Sequence, residues 1–245
     1  MRAAHVMDAF LITCLGALIM RARFLVALAA ATILTLGGPA LAAEEDADEG
    51  PFSSKTFAGL KLRNIGPALM SGRIADIAIE PDDPATWYVA VGSGGVWKTV
   101  NAGTTWTPLF DGESVYSIGC VTLDPSNPHV VWVGTGEDVG GRHVSWGDGI
   151  YRSRDGGAHW ENMGLKDSQH ITKIIVHPDD SDVVWVAAQG PLWTPGGERG
   201  IFKTADAGQT WTKVLGGGEW TGAASLVIDP RDPDVLYAAT WQHHR

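Results

Sequence analysis

Apolar residues in this chain recur in short runs of four to six, rich in Val, Ile, Trp and Tyr, each bounded by Pro, Gly, Asp or Asn. Such runs predict β-strands, with tight turns between them. Four stretches align: IAIEPDDPATWYVAV from Ile77, VTLDPSNPHVVWVGT from Val121, IIVHPDDSDVVWVAA from Ile174 and LVIDPRDPDVLYAAT from Leu226. Their shared prolines, Pro81, Pro125, Pro178 and Pro230, stand 44, 53 and 52 residues apart. In each, two apolar runs flank a Pro/Asp/Asn turn, the pattern of a hairpin. His177 holds the turn position that Glu80, Asp124 and Asp229 occupy elsewhere, so it reads as a turn residue.

A second hairpin follows the first three: GGVWKTVNAGTTW from Gly94, GIYRSRDGGAHW from Gly149 and GIFKTADAGQTW from Gly200. The repeating unit is therefore four antiparallel strands, A to D, in about fifty residues, which is the pattern of a β-propeller blade. The fourth unit stops at Arg245 after its first hairpin. The expected fold is all-β, an incomplete propeller of about three and a half blades over residues 56–245. Rings of this kind typically need about four to eight blades. Further blades of the same protein are the expected partners of the two open ends.

Ahead of the repeats, Arg21 and Arg23 precede an apolar stretch from Phe24 to Leu36, and Ala40-Leu41-Ala42 follows. This is the layout of a cleavable export signal, too short in its apolar part for a membrane span of roughly 20 residues. Residues 1–42 are read as the signal, with translation starting at Met20. Residues 43–55, which include Glu44 to Glu49, are read as an acidic, solvated lead-in. The expected location is periplasmic or extracellular, without a membrane span after cleavage.

The chain has 245 residues, with 18 Lys and Arg against 28 Asp and Glu. Loss of residues 1–42 removes three Arg and one Asp and takes the formal charge from −10 to −12. An acidic surface of this kind opposes nucleic-acid binding. Cys120 is the one thiol left after the signal, in an apolar run that makes it a small core residue. No cofactor motif and no metal-ligand spacing is present, so neither group is expected.

The turns of the second hairpins carry Thr99, Asn101, Gly103 and Trp106; Ser153, Asp155, Gly157 and Trp160; and Thr204, Asp206, Gly208 and Trp211. This resembles the Asp-box, or BNR repeat, S/T-x-D-x-G-x-x-W. The short carboxylate accepts from the N–H groups of its own turn, Gly supplies positive φ, and Trp is expected to anchor the hairpin in the core. Identical roles in every unit make these residues structural.

Phase places A–B and C–D turns on one face, and B–C and D–A links on the other. The first face is uniform; the second varies. The B–C link is Gly92 to Gly95 in the first unit, but GTGEDVGGRHVSWGDG from Gly134 in the second and AQGPLWTPGGERG from Ala188 in the third. Together with D–A residues Glu113, Tyr116, Glu219 and Trp220, this gathers a candidate ligand-binding set: Arg142, His143, Trp146, His170, Trp193 and Arg199. Candidate catalytic carboxylates are Glu137, Asp138, Asp167 and Glu198. Carboxylates, Arg, His and aromatics on one surface suit a carbohydrate or peptide.

From Arg63, RNIGPALMSGRIADIAIEP, then GGVWKT and VSWGDGIYRSRDGG, resemble the start of large secreted bacterial BNR/Asp-box propeller proteins. Those are similar to the sortilin (Vps10) ectodomain and to xyloglucan-cleaving glycoside hydrolases. The resemblance implies a binding module for carbohydrate or peptide, or alternatively a polysaccharide hydrolase. In the hydrolases a catalytic Asp precedes the G-G-x-[YW] strand; the matching place here is Gly92-Ser93, so the first unit lacks it, while Glu137 and Asp138 furnish the same junction in the second. Hydrolysis needs two carboxylates, and Glu137 with Asp167 or Glu198 is the pairing expected if this chain supplies both.

Overall fold

Strands that carry apolar residues on both faces need cover on both faces. Val131 and Val133 turn toward one neighbouring sheet, while Trp132 between them turns toward the other. Trp185 and Ala187 alternate in the same way with Val184, Val186 and Ala188. The computed structural model describes residues 72–138 and 144–242. Among them, three four-stranded antiparallel sheets and one two-stranded sheet repeat along the chain. The expected signal and acidic lead-in lie outside the described residues, as do Arg142 and His143.

The first blade is β1 (Ile74–Ile79), β2 (Trp87–Val91), β3 (Gly95–Thr99) and β4 (Thr107–Pro108). The second is β5 (Ile118–Leu123), β6 (Val131–Thr135), β7 (Ile150–Ser153) and β8 (Glu161–Asn162). The third is β9 (Ile171–His177), β10 (Asp180–Ala188), β11 (Gly200–Thr204) and β12 (Thr212–Leu215). The half blade is β13 (Thr221–Asp229) with β14 (Asp232–Gln242). Each sheet runs in chain order, and β1, β5, β9 and β13 lie side by side. This is the partial β-propeller that the repeat predicts.

The cores sit between blades. Tyr88, Val96 and Phe110 of the first blade pack on Val121, Val131 and Tyr151 of the second. Cys120, Trp132 and Ile150 then meet Ile174, Val186 and Phe202 of the third. Cys120 is a buried free thiol, and burial pushes its pKa up, which keeps it protonated and inert. Among the described residues, no further sheet covers the outer faces of the end blades. Ile74, Ile77 and Ile79 are about half exposed, as are Val227, Tyr237 and Trp241 at the other end.

The C–D turns close on a hydroxyl followed two residues on by a carboxylate, or in the first blade a carboxamide. The hydroxyls of Thr99, Ser153 and Thr204 accept from the N–H of Gly103, Gly157 and Gly208 at 2.9, 2.8 and 3.0 Å. Oδ1 of Asn101, Asp155 and Asp206 accepts from the N–H four residues on at 2.9, 2.9 and 2.8 Å. Asn101 thus does what the two aspartates do. Trp160 and Trp211 pack against the cores between blades, beside Phe110 and Trp132. Trp160 Nε1 donates to the Leu109 carbonyl at 2.9 Å, and Trp211 Nε1 to that of Met163 at 2.7 Å. Each therefore bolts its turn to the preceding blade, because the outer strand is too short to bury an indole by itself. Trp106 has no such carbonyl among the described contacts and packs on Trp87, 6.4 Å between centroids.

Candidate functional site

The B–C segment of the second blade is laid down between two D–A links by a chain of hydrogen bonds. Gly136 N–H donates to the Ser117 carbonyl at 2.7 Å, and the Ser117 hydroxyl donates to the Ser145 carbonyl at 2.7 Å. Gly147 N–H donates to the Gln169 carbonyl at 2.7 Å. Only glycine fits at 136 and 147: a Cβ there would stand 1.7 Å from the Gln169 oxygen and 2.4 Å from the Gly136 nitrogen. With its backbone pinned this closely, the segment turns Trp146 outward.

The result is a groove of about 630 Å³ at the junction of the first two blades. Tyr116 and Trp146, 59% and 66% exposed, stand on it with Ser114, Asp148, Lys166 and Gln169. Its far wall is a 3-10 turn, Lys166–Ser168, flanked by Leu165 and Gln169 at φ 54° and 55°. Non-glycine residues at positive φ cost about 1–3 kcal/mol each and collect at functional sites.

Asp148 is the chemical centre of the groove. Its Oδ2 accepts from the Ser114 hydroxyl at 2.7 Å and from the Tyr151 hydroxyl at 2.9 Å. Its Oδ1 is buried and has no hydrogen-bond partner among the described residues. Glu113 lies close enough that burial, and then the Asp148 charge, raise its carboxyl pKa. Two carboxyl groups of this kind can divide acid and base roles. Asp148 was absent from the expected carboxylates: its neighbours in sequence, Gly147 and Gly149, mark only a turn. The available signal was its place just before the Gly-Ile-Tyr strand.

The next junction repeats the arrangement. Asp167 N–H donates to Glu198 Oε2 at 2.9 Å. Burial raises the Glu198 pKa, that hydrogen bond opposes the rise, and the Asp167 charge adds to it. Trp193 is 51% exposed on the same B–C loop. Asp167 and Glu198 are thus brought together, but among the described residues no hydrogen bond or ion pair joins them to Glu137.

Glu137 sits inside the protein. It is 1% exposed, its carboxylate is paired with Arg73, and Gly92 of the first blade leaves it the space. Against the expected catalytic role, the described residues enclose this carboxylate beside Arg73 and do not present it on the open face. His170 is equally buried, and its Nδ1 meets the Glu137 carbonyl at 2.7 Å, so it donates there. Asp138 is partly buried, and burial raises its pKa against the pull of its own backbone N–H, with the charges of Asp76 and Glu137 adding to the rise. Arg199 also departs from the expected ligand contact. It is 2% exposed, and donates to the carbonyls of Gly196, Gln189 and Thr194 at 2.7, 3.0 and 2.7 Å and to that of Pro191. It is the internal frame of the Pro191–Gly197 loop.

No family model matches the chain. It is 25% identical over 221 residues to xyloglucanase Xgh74A of Acetivibrio thermocellus, covering 77% of this chain and 25% of that one. A Paenibacillus xyloglucanase is 23% identical over 191 residues, 67% of this chain and 18% of its own length. The oligoxyloglucan-reducing end-specific xyloglucanase of Emericella nidulans is 22% identical, with 71% and 22% covered. The chain spans about a fifth to a quarter of these curated relatives. The Niastella koreensis GH74 enzyme superposes with TM-score 0.52 at 24% identity, covering 66% of this chain and 24% of that one. The Xanthomonas campestris GH74 xyloglucanase gives 0.52 at 18% identity, covering 68% and 26%. The structural neighbours establish the β-propeller fold.

Proposed function

We propose that this chain is part of a longer, exported Asp-box propeller that hydrolyses a polysaccharide. Its B–C/D–A face binds the glycan in the groove between the first two blades. The observation that carries the reading is the half-buried Asp148, its Oδ2 held by two hydroxyls in the groove that the exposed rings of Tyr116 and Trp146 line. Sugar rings present C–H faces to aromatic rings and hydroxyls to carboxylates, which matches this lining. The xyloglucan-acting relatives favour a β-glucan backbone over a peptide, and the half-exposed apolar ends of the propeller suit further blades.

In this reading Glu113, its pKa raised, is the proton donor and Asp148 the second carboxylate. Trp146, Tyr116 and, at the next junction, Trp193 line the path of the chain. The test is hydrolysis of xyloglucan by the full-length protein. Asp148→Asn is expected to lower kcat at least 100-fold while glycan binding persists. Full turnover in both Asp148→Asn and Glu113→Gln would remove this pair from the mechanism. Binding without any turnover in the unsubstituted protein would leave a glycan-binding module.

A further inference from the structure

The opposite face, where the A–B and C–D turns emerge, was expected to be uniform and structural. Between the second and third blades it instead holds a pocket of about 500 Å³, within the range of small-molecule sites. Three side chains in its lining are nine-tenths or more buried: Asp124, Trp132 and Arg152. Each contributes a polar atom with no hydrogen-bond partner among the described residues, namely Asp124 Oδ2, Trp132 Nε1 and Arg152 Nε. Buried polar groups are normally satisfied, and each orphan costs about 1–3 kcal/mol. Three in one pocket are a concentration that the fold itself does not require.

The rest of each side chain is fully engaged, which fixes the orphans in place. Asp124 Oδ1 accepts from Ser126 N–H and from the Ser126 hydroxyl, both at 2.8 Å. The Arg152 guanidinium reaches the Ala207 carbonyl and lies 5.4 Å from the Trp132 ring centroid. Trp132 packs edge-on against Trp211 at 6.5 Å and is hemmed in by Gly208.

We propose that this pocket is a second binding site, for a neutral saccharide unit, on the face away from the groove. Trp132 Nε1–H and Arg152 Nε–H are donors, and Asp124 Oδ2 is an acceptor. A hydroxyl is the neutral group that can accept from the first two and donate to the third, and adjacent sugar hydroxyls supply it twice. Charge argues the same way. Arg152 and Arg154 face Asp124, Asp182 and Asp206 around the pocket, and Arg152 is also paired with Glu161, so an anion is disfavoured there. This site is independent of the groove and of any hydrolysis.

The test follows indole Nε1–H resonances of the whole protein during titration with D-xylose, D-glucose and a xyloglucan heptasaccharide. Trp132→Phe, which keeps the ring packing, assigns the Trp132 signal. That signal is expected to shift saturably with at least one sugar. Asp124→Asn should weaken the apparent Kd tenfold or more, and Trp146→Ala on the other face should leave it unchanged. The Trp160 and Trp211 indoles, bonded to Leu109 and Met163, report that the fold survives. If Asp124→Asn unfolds, Arg152→Lys takes its place. A shift with the heptasaccharide alone indicates a polysaccharide chain as the source, and one with D-xylose or D-glucose a free sugar. An unresponsive Trp132 signal with all three sugars, or exchange with ordered water only, overturns the proposal. So does a Trp132 shift of undiminished affinity in a folded Asp124 or Arg152 variant.

Discussion

Arg73, at the entry to the first blade, is paired with the carboxylate of Glu137, which the second blade carries and the protein buries. Arg73 is itself about a third exposed, so the pair lies at the edge of the interior. Removing one charge takes from its partner the pairing that offsets its desolvation. Glu137→Gln is expected to cost about 1–3 kcal/mol of stability. A lowered midpoint in denaturant checks this; an unchanged midpoint with lost activity would return Glu137 to the catalytic candidates.

The groove aromatics carry the opposite signature. Tyr116 and Trp146 are more exposed than buried, and their truncation removes little core. Trp146→Ala is expected to weaken glycan affinity about tenfold, near 1.4 kcal/mol, with stability changed by less than about 0.5 kcal/mol. Titration calorimetry with xyloglucan oligosaccharides, alongside thermal melting, separates the two effects.

Arg199 is expected to behave as a structural residue. Its guanidinium serves four loop carbonyls, and Arg199→Ala strands them. The expected loss is about 2–4 kcal/mol. Arg199→Lys should rescue only a fraction, since an ammonium lacks the planar fork. Unfolding curves of both variants test the ranking.

Acid sensitivity should arise from the C–D turns. Hydrogen bonds from the Thr204 and Thr210 hydroxyls and from the Thr210 and Gln209 N–H groups hold Asp206 down to about 2, and contacts with His159 and Ser153 depress Asp155 further. A folded-state value below the unfolded one, about 3.9, means these groups add stability above that pH. The contribution is lost as pH falls from about 4 toward 2. Asp206→Asn is expected to keep the turn, as Asn101 does, and to flatten the acid limb of a stability–pH profile. An acid limb identical to that of the unsubstituted protein would count against this assignment.

The blades were legible in the chain because their causes are local. Alternating apolar runs, Pro/Asp turns and the S/T-x-D/N-x-G-x-x-W spacing each act within a dozen residues, and β1 to β14 fall where those signals put them. Phase along the repeat assigned Trp146, Asp167, Trp193 and Glu198 to one face; the structure adds the Asp167–Glu198 hydrogen bond and the exposure of both tryptophans. Exposure and partnership were decided elsewhere. Glu137 and Arg199 look like surface charges in sequence, yet the first is enclosed by Gly92 and Arg73, and the second by its own loop. Asp148 looks like a turn residue, yet Ser114 from the preceding blade and Tyr151 from its own make it the centre of the groove. Local pattern chooses the strand and its face. Whether a charge there meets water, an arginine or a hydroxyl depends on what the neighbouring blade brings up against it, from tens of residues away.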